Sequence, residues 1–207
     1  MSTEVMNEGV EFAPIAKRAR HIGAFSEMLI SSILALVASL VLSAEAITLA
    51  ANPNAVFSCD ISAKISCSVV GASWQASLLG FPNAFLGLIA EPVVITIALA
   101  SIAGVVFPRW FMNAAWVVYT AGLLFAYWLL YEAYFNIGAL CPWCLLVTVT
   151  TTMVFASMTR VNIYRNTFGF SEGLHARLTR WLDAWIDQYV VVVVFVIIGA
   201  MIVVRYI

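Results

Sequence analysis

Apolar residues in this chain are gathered into long unbroken runs rather than alternating or recurring as one-sided stripes. Five runs approach the roughly 20 residues that a helix needs to cross a bilayer: Glu27 to Ala51, Pro82 to Phe107, Trp110 to Tyr131, Leu140 to Met158 and Tyr189 to Val204. In hydrocarbon every backbone N–H and C=O has to be paired within its own segment, so even the β-branched run Val190 to Val194 reads as helix. Between the first two runs, Val70, Trp74 and Leu78 recur at four-residue steps, as do Val69, Ser73 and Ser77. That period predicts a short amphipathic helix over Ser68 to Gly80, lying along the membrane surface above the span ends and roofing a cavity between them. The expected fold class is an all-α integral membrane bundle.

Composition agrees: 63% of the 207 residues are hydrophobic and 10% charged, against about 45–50% and about 25% in soluble domains. A soluble globule is excluded. Ten Lys and Arg nearly cancel eleven Asp and Glu, for a net charge of -1. No basic surface is left for a nucleic-acid backbone. The placement of these few charges sets an orientation. Lys17, Arg18 and Arg20 precede the first run, Arg109 separates the second from the third, and Arg160, Arg165, Arg177 and Arg180 separate the fourth from the fifth. The opposite face receives Lys64 and Arg205 alone, so the positive-inside bias puts the N-terminus in the cytoplasm and the C-terminus outside. Leu29 to Ala46 has the form of a secretory h-region ending in Ala44-Glu45-Ala46, but the long leading tail with Glu4, Glu8 and Glu11 is unlike a signal n-region. Arg160 to Gln188 mixes Arg with Trp181, Trp185, Leu178 and Leu182, the pattern of a headgroup-level linker helix. His21 and His175 have no thiol or carboxylate neighbours in sequence and are expected to be solvated.

The candidate chemistry lies in four cysteines. Cys59 and Cys67 occupy the loop after the first run, and Cys141-Pro142-Trp143-Cys144 opens the fourth, so all four fall on the outer face, where paired thiols form disulfides. A C-x-x-C in the first helical turn is a reducible pair whose thiolate is favoured by unpaired N–H groups and the positive dipole end. Pro142 suits the first helical position. A separated pair on a polar loop, able to pivot between an external partner and the embedded pair, completes a relay of two dithiols. The weighed alternatives are a Cys₄ zinc site, for which the spacing of Cys59 and Cys67 is too wide, and two purely structural disulfides. Four cysteines allow three complete connectivities. Glu91-Pro92 lies deep in the second run, as a proton donor or as a protonated acid bonded to a carbonyl freed by the proline. Glu45 and Glu132 sit at the outer boundary, where they are expected to be solvated and not catalytic.

The order of a separated pair, Cys59 and Cys67-Ser68, then Ser73, then Phe81-Pro82-Asn83-Ala84-Phe85-Leu86-Gly87, then Gly138-Ala139-Leu140-Cys141-Pro142-Trp143-Cys144, resembles the vitamin K epoxide reductase family, particularly its bacterial homologues. Membrane oxidases of the Dsb type place the two pairs in the opposite order. The resemblance covers roughly Ile30 to Met158 and implies a four-helix transmembrane bundle with a fifth, peripheral transmembrane helix and a short outer interfacial helix. It implies a division into a cytoplasmic tail (1–26), a four-helix catalytic bundle (27–160) whose outer loop (52–81) carries the shuttle cysteines, a cytoplasmic interfacial segment (161–188) and a fifth helix (189–207). It further implies a thiol oxidoreductase in a bacterial cytoplasmic membrane. Electrons from a separate thioredoxin-like (DsbA-like) protein would pass from Cys59 and Cys67 to Cys141 and Cys144, and on to a quinone, menaquinone or ubiquinone. In that scheme Cys59 forms the mixed disulfide with the partner and Cys67 resolves it. Cys144 faces the quinone ring, while Ser73, Trp74 and Asn83 hold it, and no metal is needed. The alternatives are reduction of vitamin K epoxide itself and a non-enzymatic membrane subunit with structural disulfides.

Overall fold

The structure, a computed structural model, describes residues 11–12 and 15–206, with side chains over 22–206. Most of the expected tail, the side chains of Lys17, Arg18 and Arg20, and that of His21 lie outside the described residues. In chain order the elements are β1 (Glu11–Phe12), α1 (Ile15–Ala51), α2 (Cys67–Gly71), a single 3-10 turn (Trp74–Ser77), α3 (Ala84–Ile102) and β2 (Val105–Val106). They continue with α4 (Arg109–Tyr131), a π-helical turn (Glu132–Ile137), α5 (Pro142–Tyr164), α6 (Glu172–Asp183) and α7 (Ile186–Tyr206). Among the described residues five helices are long and apolar enough to cross a membrane, and all five overlap the expected runs.

Helix α1 is the centre of the bundle, packed on α3 and α5, with α4 behind α5. Over its middle, 31–43, its buried face is made of small residues, among them Ser32, Ala35, Ala38, Ser39 and Ser43, which let neighbouring backbones come close where lipid supplies no hydrophobic drive between helices. Ser32 and Ser43 donate their hydroxyls to the carbonyls of Met28 and Ser39, so the polar atoms are satisfied within the helix. The threonines of α5 behave alike: Thr148 donates to the Cys144 carbonyl, Thr150 to Leu146 and Thr152 to Thr148. Phe25, Met28, Ile97, Met112, Val154 and Met158 fill the core away from the cysteines. Helix α7 packs on α5 and α6 and leaves most of its valines exposed to the lipid.

Three expectations are corrected. The amphipathic helix over Ser68 to Gly80 is two pieces, α2 and the 3-10 turn, because the Ser73 backbone is extended and breaks the helix between them. The second run stops as helix at Ile102, and Val105–Val106 pairs antiparallel with Glu11–Phe12. Nothing in hydropathy signals so short a ribbon. His175 is not simply solvated: its Nε2 lies 3.0 Å from the Ile163 carbonyl oxygen.

Candidate functional site

A local turn holds the loop cysteines, and one long-range bridge brings them to the C-x-x-C. Asp60 draws the loop around itself: its carboxylate accepts the Phe57 N–H at 2.6 Å, the Ser66 hydroxyl at 2.6 Å and the Ser68 N–H at 2.9 Å. Burial, the largest single influence, would raise its pKa, but these donors together outweigh it and hold the carboxylate at about 2. Ser66 caps α2 by accepting the Val69 N–H, and the chain is thereby folded back so that Cys59 and Cys67 are joined in a disulfide. A short parallel bridge then sews this loop to the start of α5. The Ser66 N–H donates to the Leu140 carbonyl and the Leu140 N–H to the Lys64 carbonyl, both at 2.9 Å. The bridge pairs Ile65 with Leu140, and Cys67 and Cys141, which follow closely on the two strands, are brought together. Their sulfurs lie 3.4 Å apart.

Cys141 and Cys144 are thiols. Cys141 is the N-cap of α5, 2% exposed, and its sulfur accepts the Cys144 N–H at 3.3 Å; Pro142 occupies the first turn as expected. Its pKa is lowered, first by a hydrogen bond from the Cys144 thiol and then by the Cys144 and Trp143 N–H groups, against the opposing effect of burial. Leu42, Phe57, Val70 and Trp143 pack around the sulfurs and keep them dry. Cys59 and Cys67 are both buried, at 7% and 2% exposure, while Val56 and Ile61 beside Cys59 stand out at 79% and 72%.

The other expected site residues, Ser73, Trp74 and Asn83, lie on the segment that leads from α2 to α3, the expected roof. Ser73 donates its hydroxyl to the Val70 carbonyl at 2.6 Å, and Trp74, exposed, packs near Trp128 with ring centroids 6.3 Å apart. Asn83 donates from Nδ2 to the Gln75 carbonyl at 2.5 Å, and its Oδ1 is buried with no partner among the described residues. Two cavities, of about 290 and 190 Å3, open between other helices and are lined by neither Asn83 nor Cys144.

Three acids that the sequence singled out have surroundings other than those expected. Glu132 is not solvated: it is buried and accepts from Gln75 Nε2 at 3.0 Å and Asn136 Nδ2 at 2.7 Å, tying the roof to the π-helical turn. Glu91 Oε1 accepts from the Tyr119 hydroxyl at 2.9 Å and Oε2 has no partner among the described residues, so the expected donation to a carbonyl freed by Pro92 is not made. Glu45 is half-buried, with Oε1 3.4 Å from Cys59 Sγ. Its side-chain oxygen and the sulfurs of Cys59 and Cys67 lie within 4.8 Å of one another, but the disulfide leaves neither sulfur as a thiolate ligand. Position alone could have suggested Glu45, an acid at the outer end of an apolar run that precedes a cysteine loop.

Compared with known proteins, residues 27–159 match the Vitamin K epoxide reductase family. Curated proteins yield no match.

Proposed function

Since the chain belongs to the vitamin K epoxide reductase family, a family of membrane oxidoreductases, we propose that it is a thiol oxidase that reoxidises a separate thioredoxin-like protein and passes the electrons to a membrane quinone. The observation that carries this reading is the 3.4 Å approach of Cys141 Sγ to Cys67 Sγ within the loop disulfide. At that distance thiol–disulfide exchange needs no rearrangement of the backbone.

The neighbours divide the roles. Cys67 faces Cys141, which leaves Cys59, flanked by the exposed Val56 and Ile61, to meet the partner. A partner thiolate attacks Cys59 and expels Cys67; the second partner thiol then displaces Cys59, leaving the partner oxidised and the loop as a dithiol. Cys67 next attacks Cys141 in an oxidised Cys141–Cys144 pair and expels Cys144. Attack of Cys59 on Cys67 frees Cys141 and restores the loop disulfide. The resulting state, an oxidised loop over a reduced C-x-x-C, is the one the structure holds.

Asn83 has a buried oxygen in need of a donor, which the hydroxyl of a quinol supplies and the carbonyl of a quinone does not, and Cys144 is partly exposed at the start of α5. Ser73 and Trp74 belong to the same roof segment. When bound, a quinone supplies the two-electron acceptor for the dithiol. What the chain contributes is a dry wall around the sulfurs and a lowered Cys141 pKa that keeps the exchanging sulfur reactive. The bias of Lys and Arg along the chain supports a setting in a bacterial cytoplasmic membrane with the N-terminus inside and both dithiols on the outer face.

Purified protein supplied with reduced thioredoxin-like protein and menaquinone or ubiquinone should form quinol, and Cys141→Ala or Cys144→Ala should abolish it. Cys67→Ala should accumulate a mixed disulfide through Cys59. Full turnover in either C-x-x-C variant overturns the reading.

A further inference from the structure

The loop disulfide is asymmetric. Cys67 has a sulfur beside it, whereas Cys59 has a carboxyl, Glu45 Oε1 at 3.4 Å. A disulfide sulfur carries no hydrogen, so a hydrogen bond across that gap is donated by the carboxyl. Once the disulfide opens, Cys59 becomes a thiolate in contact with the same group. Glu45 sits in the outer part of the membrane-spanning stretch of α1, where an ionisable side chain is costly unless it has work to do. The titratable groups that face it are all acids or thiols: Asp60 and Cys59 from the loop, Cys67 from α2, and Cys141 and Cys144 from the start of α5.

We propose that Glu45 is the proton donor and acceptor for Cys59, a catalytic residue of the relay; the inference rests on that relay reading. When the second partner thiolate breaks the bond between the partner sulfur and Cys59, the electron pair goes to Cys59 and the Glu45 carboxyl supplies its proton. When Cys59 attacks Cys67 in the Cys67–Cys141 mixed disulfide, its proton returns to the Glu45 carboxylate. The electron pair of the broken bond goes to Cys141, whose thiolate is held by donors from Cys144 and Trp143. Over one cycle Glu45 is unchanged and two electrons have moved inward.

The test isolates Cys59 as the sole thiol of the full chain by Cys67→Ala, Cys141→Ala and Cys144→Ala, and measures its alkylation by iodoacetamide against pH with and without Glu45→Gln. A carboxylate in contact opposes the thiolate, so Glu45→Gln should lower the midpoint by about one pH unit. In the four-cysteine protein, single-turnover transfer from the reduced loop to an oxidised Cys141–Cys144 should slow about tenfold or more in Glu45→Gln, and Glu45→Asp should recover part of it. An unshifted alkylation profile, or an unchanged transfer rate, overturns the proposal. Neither readout uses the partner or a quinone, so failure of the wild-type protein to oxidise a thioredoxin-like partner would count against the relay reading alone.

Discussion

Asp60 follows Cys59 in the chain, yet its carboxylate serves the backbone on both sides of the disulfide, at Phe57 and at Ser68. Asparagine keeps the shape and loses the charge, and hydrogen bonds to a charged acceptor are worth about 1.5–3 kcal/mol each before competing effects. Asp60→Asn should therefore make the Cys59–Cys67 disulfide about tenfold more quickly reduced by a phosphine at pH 7, the equivalent of about 1.4 kcal/mol in loop opening. The pH dependence has a definite sign. The folded pKa of about 2 lies below the roughly 3.9 of a free aspartate. Asp60 thus stabilises the closed loop fully above about pH 4, and the benefit fades as pH falls toward 2. The gap between wild type and variant should narrow over that interval, and equal rates at pH 7 would show that another group holds the loop. At this scale the sequence spoke clearly about the cysteines, because thiol chemistry belongs to the residue type. It was silent on Asp60 and read Glu45 and Glu132 as solvated, because the roles of all three depend on what the fold sets beside them.

For the helices, hydropathy was sufficient to find all five, since satisfaction of the backbone in lipid leaves a long apolar run no other conformation. It was insufficient where a single residue decides. The roof breaks at Ser73, and the π-helical turn ends at Gly138, whose φ of 74° puts it in the left-handed region just before the C-x-x-C. Helix packing also turns on one position: a Cβ on Gly87 of α3 would overlap the Ser39 side chain of α1. Gly87→Val should cost about 1–3 kcal/mol by overpacking this contact and lower the melting temperature in detergent by roughly 5 °C. Gly122→Ala in α4, where an added Cβ meets nothing within 4 Å, should leave it unchanged or slightly raised. Equal melting temperatures for wild type and Gly87→Val would mean that α1 and α3 are not held at this distance.

On the scale of the whole molecule, the ten basic residues and the packing tell one story about sidedness. Arg109 donates to the Asn166 and Thr167 carbonyls, joining the α3–α4 and α5–α6 connections, and β1 pairs with β2 at that same end. At the other end Lys64 Nζ donates to the Arg205 carbonyl at 3.2 Å, bringing the cysteine loop against the end of α7. The fold thus separates Lys64 and Arg205 from the face that carries Arg109 and Arg165, the same division that was read from their order along the chain. A positive-inside arrangement would turn the loop and both dithiols outward, where disulfides persist. In a cysteine-free background within right-side-out vesicles, an impermeant maleimide should label Val56→Cys, on the exposed loop, without permeabilisation. It should label Leu174→Cys, exposed on α6, only after the membrane is opened. The reverse pattern would place the loop disulfide in a compartment that keeps thiols reduced, where an outward-facing thioredoxin-like protein could not reach Cys59 and the electron route would have no entrance.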